Sequence, residues 1–327
     1  MATRRTFLGT AASLATVPLL PVAAQAASDY PSKPIRMVVP YAGGGSADVL
    51  GRVLAEAMSR SLRQSVVVDL KPGAGGNLGA ELVAKSAPGD GYSLLFASVS
   101  LSTAVSFTKL SFDPRKDLVP VAGVGTLPSL LLVGARSPYQ SVADIVKAAG
   151  RGQPIDFASA GYTTGSHLFG ELLKMEAGIE ANHVPYRGSG AAYPDLLAGR
   201  IAMMFDVAGS AVPQVQAGTV RALAITSSRR SKSLPDVPTL AELGYKGFDV
   251  GTWFGFFVPA GTPAEATTRL EAAVLQSLSA PEVVTRLASV MADPIPGPGR
   301  DFGRWYLEDV ERWAKLARER KIVVGDK

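Results

Sequence analysis

Apolar and polar positions along this chain follow two periods, and the periods take turns. Ile35–Tyr41 is a continuous apolar run ending in a turn, as in a buried strand, and Leu50, Val53, Leu54, Ala57, Met58 and Leu62 then recur at helical spacing. Val66–Leu70 reads as the next strand, Gly79–Lys85 as a helix and Ser93–Ser98 as a third strand. The unit repeats with strands predicted at Ile155–Ser159, His183–Tyr186, Ile201–Asp206 and Arg221–Thr226, and helices at Ser166–Ala177 and Ala191–Ala198. Beyond the loop Leu234-Pro235-Asp236-Val237-Pro238 come a strand at Trp253–Val258 and helices at Ala264–Leu278, Glu282–Val290 and Phe302–Arg318. Such alternation predicts an α/β fold with mainly parallel sheets, and two units followed by a helical tail predict two lobes. Crossings are expected near Val121–Leu132 and Val250–Phe257. They divide the chain into a first lobe over residues 27–125, a second over 126–250 and a return to the first over 251–327.

The first 26 residues break the pattern. Thr3-Arg4-Arg5-Thr6-Phe7-Leu8 is a charged segment with paired arginines, an apolar run follows to Ala24, and Ala24-Gln25-Ala26 is an A-x-A cleavage signature. Pro18 and Pro21 interrupt a run already short for a membrane span of ~20 residues. The segment reads as a signal peptide of twin-arginine type cleaved near Ala26, which places the product in the periplasm. Without its two arginines the formal charge of +5 falls to about +3. No basic run or aromatic-interleaved basic stripe occurs, which argues against a nucleic-acid partner. The chain has no cysteine, which excludes thiolate metal sites and a cysteine nucleophile.

Catalytic signatures are missing: there is no G-x-S-x-G elbow, no phosphate loop and no H-E-x-x-H, and the two histidines, His167 and His183, lie in different segments. What stands out is a set of strand-to-helix turns rich in glycine and hydroxyls. Pro40-Tyr41-Ala42-Gly43-Gly44-Gly45-Ser46-Ala47-Asp48 opens a helix, where close backbone approach and unpaired N–H groups suit an anion. Ser159-Ala160-Gly161-Tyr162-Thr163-Thr164-Gly165-Ser166-His167 and Tyr186-Arg187-Gly188-Ser189-Gly190 hold the same topological position, and ligands of open α/β sheets bind there. Asp48, in a first helical turn, is expected to be structural. The turn Lys71-Pro72-Gly73-Ala74-Gly75-Gly76-Asn77-Leu78-Gly79 resembles a dinucleotide fingerprint and supports the rival reading, an NAD(P)-linked oxidoreductase. Its spacing departs from G-x-G-x-x-G, and the next strand ends in Ser98 where a ribose-binding acid is expected.

Several stretches together resemble the substrate-binding proteins of tripartite tricarboxylate transporters, the Bug/TctC family. They are Tyr30-Pro31-Ser32-Lys33-Pro34-Ile35-Arg36, Gly44-Gly45-Ser46-Ala47-Asp48-Val49-Leu50, Pro72 to Ala80, Asp90-Gly91-Tyr92-Ser93-Leu94-Leu95, His183-Val184-Pro185-Tyr186-Arg187-Gly188, Met203-Met204-Phe205-Asp206, Leu234 to Thr239 and Pro259-Ala260-Gly261-Thr262-Pro263. The resemblance implies a two-lobed, type II-like periplasmic-binding-protein fold with a ligand cleft between the lobes, a carboxylate ligand held largely by backbone N–H groups, no cofactor, and no enzymatic activity. The family's carboxylate loop falls on Tyr41, Ala42, Gly43, Gly44, Gly45 and Ser46, and its second-lobe loop on Ser159, Tyr162, Thr163, Thr164 and His167. Ser98, Tyr186, Arg187, Gly188 and Asp206 complete the expected site. Ala42, Arg187 and the Tyr162-Thr163-Thr164 segment depart from the family's usual proline, lysine and Ser/Asn-rich residues, so the ligand stays open among di- and tricarboxylates, amino acids and aromatic acids. The implied partners are the membrane permease subunits of the transporter, with the binding protein itself a monomer. A periplasmic sensor feeding a signalling partner is the alternative within the same fold. Bulk at Gly44 is expected to abolish binding.

Overall fold

A computed structural model describes residues 30–86 and 90–320; the signal-peptide reading of residues 1–26 lies outside them. β1 (Ile35–Val39) leads into α1 (Ser46–Leu62), β2 (Val66–Leu70) into α2 (Asn77–Ala84), and β3 (Ser93–Ser98) into α3 (Ser100–Phe107). β4 (Leu118–Leu127) and β5 (Ser129–Gly134) follow with only Pro128 between them. Next come α4 (Val142–Gly150), β6 (Asp156–Ser159), α5 (Gly165–Ala177), β7 (Asn182–Pro185), α6 (Ser189–Leu197), β8 (Met203–Val207), α7 (Ala208–Gln216) and β9 (Val220–Ile225). β10 (Thr252–Pro259) precedes α8 (Ala264–Leu278), α9 (Pro281–Ser289) and α10 (Gly299–Arg320).

The strands form two five-stranded sheets of matching topology, β2-β1-β3-β10-β4 and β7-β6-β8-β5-β9. The sheets are mixed, which corrects the expectation of mainly parallel ones. β1 pairs in parallel with β2 and β3, and β6 with β7 and β8, whereas β10 runs antiparallel to β3 and β4, and β5 antiparallel to β8 and β9. The reason is the crossing itself. β5 and β10 each arrive from the opposite sheet, so each enters the new one from the end at which its native strands finish. Both crossings are tied at one residue: Thr226 accepts the Ser129 N–H on its hydroxyl (3.0 Å), donates that hydroxyl to the Val250 carbonyl (2.7 Å) and donates its N–H to the Ser129 carbonyl (3.0 Å).

α8 packs on β4 and α1, and α10 on β4 and α3. Trp253, Phe257, Phe302 and Tyr306 are buried there in edge-to-face contacts, with Trp253 Nε1–H donating to Asp309 at 2.7 Å. Four aromatic rings at such a junction dominate its energetics, each pair adding about 1 kcal/mol beyond area burial. The parallel strands run toward the gap between the sheets, which places the turns after β1, β3, β6, β7 and β8 at one cleft.

Candidate ligand-binding site

Four helices begin at that cleft. α1 contributes Gly45, Ser46 and Ala47, α5 contributes Thr164, Gly165 and Ser166, α6 contributes Ser189, and α7 contributes the residue before its first turn, Val207; all line a cavity of about 50 Å³. None of the four is capped by the side chain at its own N-cap position. α4, away from the cleft, carries a complete capping box between Ser141 and Asp144. The first turn of a helix leaves its N–H groups without intrahelical acceptors and concentrates about half a positive charge there. Three such ends, of α1, α5 and α6, around one cavity with no Lys or Arg among its described lining residues can hold an anion by backbone, while the α7 end gives its Ala208 and Ser210 N–H groups to the Pro128 carbonyl and Ser46 Oγ.

The two halves of the cleft touch. The Ala42 N–H donates to the Arg187 carbonyl at 2.8 Å, and Thr103 Oγ1 donates to the Thr163 carbonyl at 2.5 Å. A Cβ on Gly190 would lie 2.1 Å from the Gly43 carbonyl oxygen, and one on Gly75 1.9 Å from that of Tyr162. Glycine is required at both positions for the lobes to meet. Ser46 makes the link with the most bonds. Its Oγ accepts the Ser210 N–H (2.8 Å), the third helical position of α7, and lies 2.9 Å from Ser210 Oγ and 3.1 Å from the Val207 carbonyl. α7 is therefore capped in trans, by a serine of the other lobe, and Gly209 leaves room for it, since a Cβ there would sit 2.8 Å from Ser46 Oγ.

Among the described residues Asp206 is the only carboxylate lining the cavity. Its Oδ2 accepts from Tyr193 Oη and Ser210 Oγ, both at 2.6 Å, and its Oδ1 accepts the Val207 N–H at 2.9 Å. Burial raises its pKa against the pull of these donors. Tyr41, also buried, has its pKa raised by that burial; its hydroxyl bonds to Ser98 Oγ (2.7 Å) and Ser100 Oγ, and donates to the Gly75 carbonyl at 3.4 Å. Asp48 accepts the Gly44 N–H (3.0 Å) and pairs with Arg52 (2.7 Å), so it braces the α1 turn and faces away from the cavity lining.

Of the sequence-predicted residues, the cavity brings together Tyr41, Gly45, Ser46, Ser98, Thr164 and Asp206. Ala42, Gly43 and Gly44 lie in the same turn but outside the lining, and Gly188 packs its Cα side against Ala42. Arg187 is exposed and takes part through its carbonyl. Tyr186 turns toward Asp195, which its hydroxyl contacts, and burial pushes its pKa up to about 12. Ser159, Tyr162, Thr163 and His167 build the frame behind the second turn. His167 and His183 stack with ring centroids 3.6 Å apart, Tyr162 meets both edge-on, Ser159 Oγ bonds His183 Nε2 at 2.6 Å, and the Thr163 N–H donates to His167 Nδ1 at 3.2 Å. Burial, then the neighbouring His183 and Lys174, holds His167 down at about 3, and burial with Lys174 holds His183 at about 4. The dinucleotide-like turn does not open on the cavity: Gly75 lies against Tyr162 and Gly76 against the Tyr41 hydroxyl.

Sequence reasoning missed Thr252 and Phe254, which enter the lining from β10, and Ser166, Ser189 and Val207 at the helix starts. Ser166 and Ser189 stand inside the turns singled out in the sequence, though not among the expected site residues, and Val207 directly follows Asp206.

Two lobes closing on a cleft ringed by helix N-termini define a solute-binding protein of the periplasmic type. The chain belongs to the tripartite tricarboxylate transporter family of receptors, whose profile matches residues 50–322. It is 38% identical over 303 residues to Protein BugT of Bordetella pertussis, covering 91% of this chain and 93% of that one. Among solved structures it resembles the periplasmic binding protein BugD (TM-score 0.86, 33% identity, 90% of this chain and 99% of BugD). It also resembles MatC from Rhodopseudomonas palustris with bound malate (TM-score 0.82, 33% identity, 88% and 99%). Among the described residues no helix is long and apolar enough to cross a membrane.

Proposed function

We propose that this protein captures a small carboxylate in the periplasm and hands it, lobes closed, to the membrane subunits of a tripartite transporter, as a monomeric binding protein with no catalytic step. The observation that carries the reading is the convergence of helix N-termini, those of α1, α5 and α6 foremost, on a cavity with no basic side chain among its described lining residues. Backbone donors and aligned dipoles favour a compact anion, and they stabilise it only when both lobes contribute, so ligand draws the population toward the closed form. The malate held by MatC is a carboxylate of the size proposed here. Export with cleavage near Ala26 completes the reading.

A thermal-shift panel of carboxylates, amino acids and NAD(P) on the purified protein tests it. A ligand at 100 times its Kd adds about 2.7 kcal/mol of stability, and the raised melting point is expected with carboxylates. A shift with nucleotide alone would sink the reading and revive the oxidoreductase.

A further inference from the structure

We infer that Thr252 selects the ligand, and that the carboxylate preferred by this cleft carries a hydroxyl and no ammonium group. The inference rests on the carboxylate-binding reading above and narrows it. It begins with which polar groups of the cavity are already committed. Asp206 has donors on both oxygens: Tyr193 and Ser210 fill Oδ2, while the Val207 N–H occupies Oδ1. A carboxylate oxygen has two lone pairs, so Oδ2 is full and Oδ1 already holds a backbone donor, which leaves little of this carboxylate for an ammonium. Among the described residues no other acid lines the cavity, and positive helix ends surround it, so an α-ammonium group entering here is electrostatically unwelcome. Tyr41 and Ser98 are committed to each other and to Ser100.

Thr252 is different. It is 5% exposed, and its Oγ1 has no hydrogen-bond partner among the described residues. It lines the same cavity where β10 enters the first sheet, beside Phe254 and facing Gly165, the first residue of α5. A Cβ on Gly165 would lie 2.8 Å from Thr252 Oγ1, so closure brings the start of α5 directly over this hydroxyl. A buried hydroxyl without a partner is costly, and a ligand oxygen that bonds it removes the cost in the closed form alone. The hydroxyl both donates and accepts, as does a ligand hydroxyl, whereas a methylene at that point leaves it unsatisfied.

The test uses matched triplets, succinate, malate and aspartate alongside glutarate, 2-hydroxyglutarate and glutamate, titrated calorimetrically against the purified protein and against Thr252→Val and Thr252→Ser. The wild type is expected to bind the hydroxy acid at least fivefold more tightly than the unsubstituted acid, and the amino acid most weakly. Thr252→Val, which keeps the branched shape, should cost the hydroxy acid about tenfold while moving its unsubstituted partner less than twofold; Thr252→Ser should restore most of the preference. A wild type that prefers the amino or unsubstituted acid overturns the inference, as does a Thr252→Val variant that weakens both members of a pair equally. Failure to bind any carboxylate overturns the parent reading instead, and the thermal-shift panel separates the two.

Discussion

The first sheet presents two glycine-rich turns of nearly the same composition, each closing a strand and opening a helix, and they do different work. Pro40–Asp48 delivers Gly45, Ser46 and Ala47 to the cavity, and its left-handed residue, Gly44, has only the Gly190 Cα (3.8 Å) near a hypothetical Cβ. Lys71–Gly79 delivers none of its residues to that cavity. Its residues Gly73 to Gly76 all have positive φ, and Gly75 meets the second lobe so closely that a Cβ would lie 1.9 Å from a carbonyl oxygen. Glycine serves ligand access in one turn and lobe contact in the other. A glycine motif therefore acquires meaning only from what faces it, and the turn that most resembled a nucleotide loop is a bumper between lobes.

The largest expected effect sets these turns against each other. Gly75→Ala and Gly44→Ala carry a similar penalty for an alanine at positive φ, about 1–2 kcal/mol, so they differ in the neighbour alone. Gly75→Ala should hold the lobes apart and weaken carboxylate binding by at least about 100-fold, roughly 2.7 kcal/mol, with small-angle scattering reporting an opened form. Gly44→Ala should leave affinity within about fivefold, which replaces the expectation that bulk at this position abolishes binding by filling the cleft. Equal losses from the two substitutions would erase the distinction. Gly190→Ala is a second wedge, on a helix where alanine is well tolerated, and it should behave like Gly75→Ala.

Much of this was legible in the sequence because it is local. The strand-to-helix turns announce themselves by glycine and hydroxyl content, and Ser46 and Thr164 were found that way, whereas Asp206 came from the family resemblance. β4 and β5 were not read as strands, since Pro120, Gly123, Gly125 and Pro128 interrupt the apolar pattern. The structure explains the glycine at 123, where a Cβ would lie 2.9 Å from the Phe302 ring and 2.3 Å from the Pro296 carbonyl oxygen. α3 and α7 were missed because serines, and in α7 a proline, blur their helical period. Thr252 and Phe254 could not be found locally: they sit in an unbroken apolar strand, and their place in the cleft depends on β10 being inserted antiparallel between β3 and β4. The same holds for the donors on Asp206, which converge from two different helices.

A smaller effect is expected where the first turn touches the second lobe. Ser46 caps α7 in trans, and a lost N-cap costs about 0.5–2 kcal/mol. The contact exists only between lobes, so Ser46→Ala should lower ligand affinity by between about two- and thirtyfold, with little change in the melting point measured without ligand. A melting point that falls as far as the affinity would show that the contact is held in the open form too. It would then belong with Gly75 as a permanent bearing surface.

The smallest effect concerns the far side of the bumper. Tyr162, whose carbonyl faces Gly75, rests edge-on against the stacked His167 and His183. Glu171 Oε1 lies 3.8 Å from His167 Nε2, and Lys174 is the cation that disfavours protonation of both rings. With folded pKa values of about 3 and 4 against an ordinary 6.5, both histidines are neutral in the folded protein. The unfolded chain takes up protons below about pH 6.5, so the stability these groups contribute is present above that pH and declines as pH falls toward 4 and then 3. Between pH 6.5 and 5 the loss should be on the order of 2 kcal/mol, lowering the melting point by about 5 °C. His183→Gln, which keeps a partner for Ser159, should flatten part of that slope. If acid first loosens the seat of Tyr162, ligand affinity should fall over the same window in the wild type and less in Gly75→Ala, where the contact is already broken. An identical pH response in both proteins would place the histidines outside the bearing between the lobes and confine them to the stability of the second sheet.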